Sequence, residues 1–288
     1  MHTATYNPPV DKLLTYRAAE TGEELEWINY PEEFGFGAEH IPDLIRMATD
    51  QQLTSDDADD LEFTAPVHAI RALQQLHAAA AIEPLIPLLD SQVDNDWITT
   101  DLKNFYGAIG PKAIPPLKAY LTDTTHKLYQ RAHAAEALVE IGSHHPEARS
   151  ECIEILTQQL DTNKEEYSEL NAFLISDLST MKATEALPVI ERVYAEDYVD
   201  MSIINMDDVL IAMGLKEGPK FPSSFEERLS DLLKAPQPDE ALKQDTTSRS
   251  GTLFGSHRRG LSRKKATKKA KGKMAKLARK KNHEQKKK

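Results

Sequence analysis

The residues best equipped to do chemistry are cations at the end of the chain. Arg258, Arg259, Arg263, Lys264, Lys265, Lys268, Lys269, Lys271, Lys273, Lys276, Arg279, Lys280 and Lys281 follow one another almost without interruption, and Lys286, Lys287 and Lys288 close the run. Such a run neutralises phosphates and releases counterions. That gives salt-sensitive binding with little sequence preference. Ala266, Ala270, Met274 and Ala278 recur at every fourth place, a thin apolar stripe should the segment become helical on a polyanion. No aromatic residue is interleaved, so base stacking is not expected. Solubility, an anionic membrane surface or the chain's own acidic body are the competing roles for the same charges.

Other candidate groups carry less. Asp56, Asp57, Asp59, Asp60 and Glu62 form an acidic loop, but it lacks the glycine and the closing glutamate of a calcium loop. His133, Glu136 and Glu140 share one helix face at i, i+3 and i+7 and could share a metal. The order is reversed from the Glu-x-x-His of di-iron bundles and no second copy exists, so an ordinary charged face is expected. His144 and His145 precede Pro146 at a turn, where capping or exposure is the expected role. Cys152 lies in an apolar helical stretch and reads as a small buried hydrophobe rather than a nucleophile. Gly35, Phe36 and Gly37 are too few for a dinucleotide fingerprint, and no phosphate loop or nucleophile elbow occurs. Trp27 and Trp97 could anchor a partner, although packing in the core or at its edge is their more common fate. No catalytic residue, metal or cofactor is therefore assigned, and a non-enzyme is expected.

The elements that would position these groups are helices. Glycine is scarce at 12 of 288 residues and aromatics make up 7%, a balance that favours helix over sheet. A single cysteine excludes an internal disulfide framework. Neither a leader peptide nor a membrane-spanning run is visible, so a cytoplasmic protein is expected. The net charge of −11 conceals a division. Residues 257–288 hold 16 lysines and arginines against one acid, Glu284, for +15. The remaining 19 bases and 45 acids give −26. An acidic body with a basic tail bears on partners rather than on fold.

A phrase recurs along the body: a small residue, then Ile or Leu, proline nearby, and two more apolar residues before an acid. It runs from Ala81 to Asp90 and from Ala113 to Asp123, with weaker copies at Cys152–Asp161 and Ala186–Glu196 and an early one at His40–Leu44. Its key positions are Ile41, Ile82, Ile114, Ile153 and Leu187, spaced by 41, 32, 39 and 34 residues. Each later copy follows a second helical stripe: Val67, Ile70, Leu73 and Leu76; Ile98, Leu102, Phe105 and Ile109; Leu128, Ala135, Leu138 and Ile141; Leu170, Leu174, Leu178 and Met181. Steps of three, four and seven put each set on one helix face. Each unit thus reads as a helix A, a tight turn and a helix B. Proline in the first turn of helix B is tolerated there, and Gly142 is expected to close a helix A in a left-handed conformation. One such pair cannot bury its apolar face alone, whereas stacked pairs share a core.

The expected architecture is all-α: a HEAT-type α-α solenoid with a disordered basic C-terminal tail. Residues 1–60 form an N-terminal cap with a degenerate repeat, including helices near Val10–Glu20 and Ile41–Gln52. Residues 61–222 form the solenoid, closed by Asp207–Leu215. Residues 223–234 form a terminal helix opened by a capping box of Ser224 and Glu227, 235–256 a linker, and 257–288 the tail.

The segments Glu39–Asp50, Ala65–Asp90, Ile109–Leu121 and His145–Leu160 resemble a family of bacterial HEAT-repeat proteins related to the HEAT-like repeats of phycobilisome lyases. The resemblance covers about Pro9 to Leu215 and implies the fold, without supplying catalytic residues. Some relatives end in a short Cys/His metal-binding motif. The tail here has no cysteine, so zinc-dependent docking is not carried over. Two functions stay open. In one, the solenoid surface, mainly its B helices, binds a protein partner while the tail holds RNA, DNA or a ribosome, and a monomer is expected. In the other, the chain is a phycobilin-lyase-like enzyme subunit or chaperone.

Overall fold

Thr5 to Tyr16, Ile28 to Thr54 and Glu62 to Gly218 are described by the computed structural model, and all belong to one compact unit, Met1–Gly218. The terminal helix, linker and basic tail expected from sequence lie outside the described residues, as do Trp27 and Asp56 to Asp60.

Among the described residues the regular structure is entirely helical, in an order that repeats. After a 3-10 turn at Val10–Leu14 come α1 (Tyr30–Phe34) and α2 (Ile41–Ala48). Then follow α3 (Ala65–Gln75), α4 (Ile82–Leu85), α5 (Leu88–Ser91), α6 (Asp96–Ile109), α7 (Ile114–Thr122), α8 (Leu128–His144), α9 (Arg149–Thr162), α10 (Ser168–Thr180), α11 (Leu187–Ala195) and α12 (Met206–Ala212). None of these helices is long and apolar enough to cross a membrane.

Four of the five recurring phrases start a helix at the same place. Ile41, Ile82, Ile114 and Leu187 are the first residues of α2, α4, α7 and α11, and each follows a short 3-10 turn. Proline follows within two residues, where its missing N–H removes no helical bond. Ile153 differs, because it falls inside α9 rather than at its start. The B position of the second unit is split in two: Pro87 cannot continue α4 and instead stands at the N-cap of α5.

The helix A stripes are the core. Val67, Ile70 and Leu73 of α3, Ile98, Leu102 and Phe105 of α6, Ala135, Leu138 and Ile141 of α8, and Leu170, Leu174 and Leu178 of α10 are all buried. Each large aliphatic side chain so placed contributes about 1.5–3 kcal/mol from removed apolar surface. Helix α3 packs on α6, α6 on α8, α8 on α10 and α10 on α12, forming an A row. On the B side α7 packs on α9 and α9 on α11, with α7 and α9 also against α8. The broadest contact of the fold is α6 on α8.

Helix ends use local chemistry. The side chains of Asn29, Asn95 and Asn205 accept from the backbone N–H groups of Glu32, Ile98 and Asp208, capping α1, α6 and α12. Helices α3 and α10 end alike: His77 and Lys182 take φ of 47° and 52°. The next N–H groups, of Ala78 and Ala183, reach back to the carbonyls of Leu73 and Leu178 at 3.0 and 2.9 Å. This is the Schellman closure, here without glycine.

Two local expectations are corrected. Gly142 does not close a helix; it lies within α8 and is buried. A Cβ there would meet Met181 Cε at 2.5 Å and Cys152 Cβ at 3.4 Å, so glycine serves close packing against the next unit. The expected helix near Val10 is a short 3-10 helix, Val10–Leu14, capped by Thr15 within the described residues. Tyr16 then packs edge-on to Phe34 and His68, with ring centroids at 5.3 and 5.0 Å.

Candidate functional site

Contacts between neighbouring A helices define a common register. Arg71 of α3 meets Asp101 of α6, and Lys103 of α6 meets Glu136 of α8. Four residues further along each helix, the backbone of Gly107 lies so close to Glu140 that an added Cβ would be 2.9 Å from the Glu140 Cβ. Tyr129 of α8 contacts Glu169 and Phe173 of α10. Residue numbers rise together from 103 with 136 to 107 with 140 between α6 and α8, and from 129 with 169 to Gly142 with Met181 between α8 and the end of α10, so these three helices run parallel and their N-terminal ends share one side.

Helix α8 is buried on nearly every side. Ala132, Ala134, Ala135, Ala137, Leu138, Val139 and Ile141 are all covered, and the small alanines admit neighbours closely. Its solvent-facing stripe is Tyr129, His133, Glu136, Glu140 and His144, in steps of three and four that keep one helix face. The matching positions are Trp97, Thr100 and Lys103 on α6, and Glu169, Phe173 and Asp177 on α10.

This face is aromatic at one end and charged along its middle. Trp97 is 60% exposed and Tyr129 52%. Tyr129 donates to Glu169 Oε1 at 2.9 Å, and its ring lies 6.0 Å from that of Phe173. Further along, Glu136 Oε2 lies 3.5 Å from both Lys103 Nζ and His133 Nδ1. The polar contact with His133, and then the positive charge of Lys103, hold the Glu136 carboxyl below its usual range against the opposing effect of burial. Asp177 behaves in the opposite way. Its Oδ2 is buried without a hydrogen-bond partner. Burial, then the negative charge of Glu136, drive its pKa well above the usual carboxylate value, with Lys103 opposing. Glu140 Oε2 and His144 Nδ1 stand 3.6 Å apart. The face therefore presents exposed aromatic surface beside a band of acidic side chains.

A second polar cluster ties α1, α3 and α6 together inside the protein. The Tyr30 hydroxyl and His68 Nδ1 share a buried hydrogen bond of 2.6 Å. Burial, then the neighbouring Arg71, push the His68 pKa down to about 4, and burial raises that of Tyr30 to about 12. Arg71 Nε donates to Asp101 Oδ2 at 2.9 Å, with Asp101 only 1% exposed. Desolvation outweighs the guanidinium and raises Asp101 to about 6. These groups are enclosed and bridge helices.

The residues singled out from sequence meet different fates in the structure. The thirteen tail cations, Arg258 to Lys281, lie outside the described residues. His133, Glu136 and Glu140 do share one face of α8, but Glu136 is engaged by His133 and Lys103 and Glu140 faces His144. No three His, Cys, Asp or Glu side chains come together as a metal site among the described residues. Cys152 is buried, and desolvation raises its thiol to about 11, which suits a core residue. Trp97 departs from the packing role expected of it and stands in solvent. His145 is neither a simple cap nor free: its Nε2 lies 3.0 Å from the Gly107 carbonyl, and its ring covers Gly110, whose φ is 79°. Lys103, Tyr129, Phe173 and Asp177 were not singled out as site residues. Only the register between helices brings them together.

A family model described as "Protein of unknown function (DUF1186)" matches residues 37–235, more than two thirds of the chain. No curated protein and no solved structure matches it. The matched span begins at the turn before α2 and takes in every helix that builds the A row and its exposed face, so the chain belongs to the DUF1186 family.

Proposed function

We propose that this chain is a HEAT-type α-α solenoid scaffold in the cytoplasm, without enzymatic activity. It binds a protein partner on the exposed face of its A row and holds RNA, DNA or a ribosome through its basic tail. The observation that carries the reading is the exposure of Trp97 and Tyr129 on adjacent helices of one row. Large aromatic side chains on rigid helices are costly to leave in water and are the residue types that anchor protein interfaces.

Four further observations support the architecture, the binding face and the tail. The phrase that opens α2, α4, α7 and α11 recurs at equivalent structural positions. Each A helix packs on the A helices adjacent in the sequence order, as nearest-neighbour repeats do. Among the described residues no exposed large apolar side chain falls on a B helix, whereas Trp97 and Tyr129 stand on A helices, which favours the A row over the B helices as the binding face. For the tail, 16 cations against one acid suit a phosphate backbone, with Arg258 to Lys281 as the contacting run.

Two measurements test this. Removing residues 257–288 is expected to abolish retention on immobilised RNA and DNA while leaving the helical circular-dichroism signal and melting unchanged. Retention that survives the deletion refutes the tail assignment. A photoreactive amino acid at position 129 in the full chain is expected to crosslink a discrete protein in cells. The same group at Glu154 on α9 is expected to give none, and equal yields from both positions refute the A-row assignment.

A further inference from the structure

We infer that the exposed face of the A row is built for one kind of partner: a Lys/Arg-rich segment of another protein, laid across α6, α8 and α10. This rests on the scaffold reading above and specifies its ligand.

The argument is one of charge and shape together. Trp97 and Tyr129 each stand second in their helices, α6 and α8, and Phe173 lies near the middle of the neighbouring parallel helix α10. Trp97 and Tyr129 are exposed, and Phe173 backs Tyr129 at 6.0 Å. Around and below them stand four acidic side chains with solvent access: Asp96, Glu136, Glu140 and Glu169. Lys103 is the cation set among them, and it is already engaged with Glu136 at 3.5 Å. His133 faces Glu136 from the same helix, and His144 faces Glu140.

Aromatic faces attract guanidinium and ammonium groups, Trp most strongly. Carboxylates beside them steer and hold the same cations, and the −26 carried by residues 1–256 reinforces that attraction at longer range. An anionic partner would meet the opposite field, and a purely apolar one would have to strip water from charged carboxylates.

The test uses the full chain and fluorescently labelled synthetic peptides of alternating Arg and Leu, or alternating Glu and Leu, in fluorescence anisotropy. The Arg peptide is expected to bind in low salt and weaken as salt is raised, while the Glu peptide does not bind. Trp97→Ala combined with Tyr129→Ala is expected to weaken the Arg peptide by about tenfold, as is Glu136→Gln combined with Glu169→Gln. All four positions have solvent access, so the fold, checked by circular dichroism, is expected to persist. Unchanged affinity in both double variants overturns the inference. So does binding that appears only after residues 257–288 are removed, which would assign the face to the chain's own tail. Its failure is separable from that of the scaffold reading: a crosslink from position 129 to an acidic or neutral protein segment retains the scaffold and removes the basic partner, whereas loss of all specific crosslinking removes both.

Discussion

His68 offers a direct measurement of what the buried cluster costs the fold in acid. The side chain is 4% exposed and shares its Nδ1 with the Tyr30 hydroxyl, and its pKa falls from 6.5 to about 4 on folding. A histidine depressed in this way contributes stability that is complete above pH 6.5. That stability is lost as the pH falls toward 4, because the unfolded chain takes up the proton first. One pH unit of displacement is worth about 1.4 kcal/mol, so the loss reaches about 3 kcal/mol near pH 4. A domain of this size is stable by only about 5–15 kcal/mol, so the effect is measurable. His68→Gln removes the titration and keeps a polar side chain there. Urea unfolding of both proteins, followed by circular dichroism between about pH 7.5 and 4, gives the difference in stability at each pH, in which the other histidines cancel. That difference is expected to shift against the wild type by about 3 kcal/mol across the window. Parallel profiles would refute the claim that His68 is held neutral by its surroundings.

Asp101 titrates in the same region with the opposite sign. Its pKa is raised from 3.8 to about 6, so the stability it contributes is present below 3.8 and lost as the pH rises through about 6. Asp101→Asn is expected to gain on the wild type by about 2 to 3 kcal/mol between pH 4 and 7, and a difference independent of pH in urea titrations would count against it. Lys182 closes α10 at φ 52°, where a side chain costs about 1–2 kcal/mol and glycine in the unfolded chain costs somewhat less. Lys182→Gly is therefore expected to raise stability by about 0.5 kcal/mol, seen as a higher melting temperature, and a fall would contradict it. Gly107→Ala would set a Cβ 2.9 Å from that of Glu140, forcing α6 from α8. Against a helix-propensity gain of about 1 kcal/mol, overpacking of about 1–3 kcal/mol should win, lowering the urea midpoint.

Much of the helical order was readable because its signals are local. The apolar steps of α3, α6, α8 and α10 are written in single stretches, and Ile41, Ile82, Ile114 and Leu187 are marked by the prolines that follow them. Gly142 misled because glycine after a helical pattern reads as a terminator. The contact that requires it, Met181 of the next unit, is 39 positions away. Trp97 misled because a tryptophan in a helical pattern is usually covered, and only the packed arrangement leaves it outside. The meeting of Lys103, Glu136 and Asp177 depends on the offset between three parallel helices. That offset follows from loop lengths and side-chain volumes rather than from spacing within any one segment. Asp101 was hidden in the same way, since a carboxylate on α6 shows its burial only once Arg71 of α3 is placed against it.

The enclosure of α8 between α6, α7, α9 and α10 has a kinetic counterpart. Its central amide protons can reach solvent only if neighbours on both flanks open together, whereas α2 and α12 each have fewer neighbours to lose. Hydrogen exchange should therefore be slowest around Ala134 to Leu138 and quicken outward in both directions. The chain would then come apart from its extremities while the middle stays protected longest.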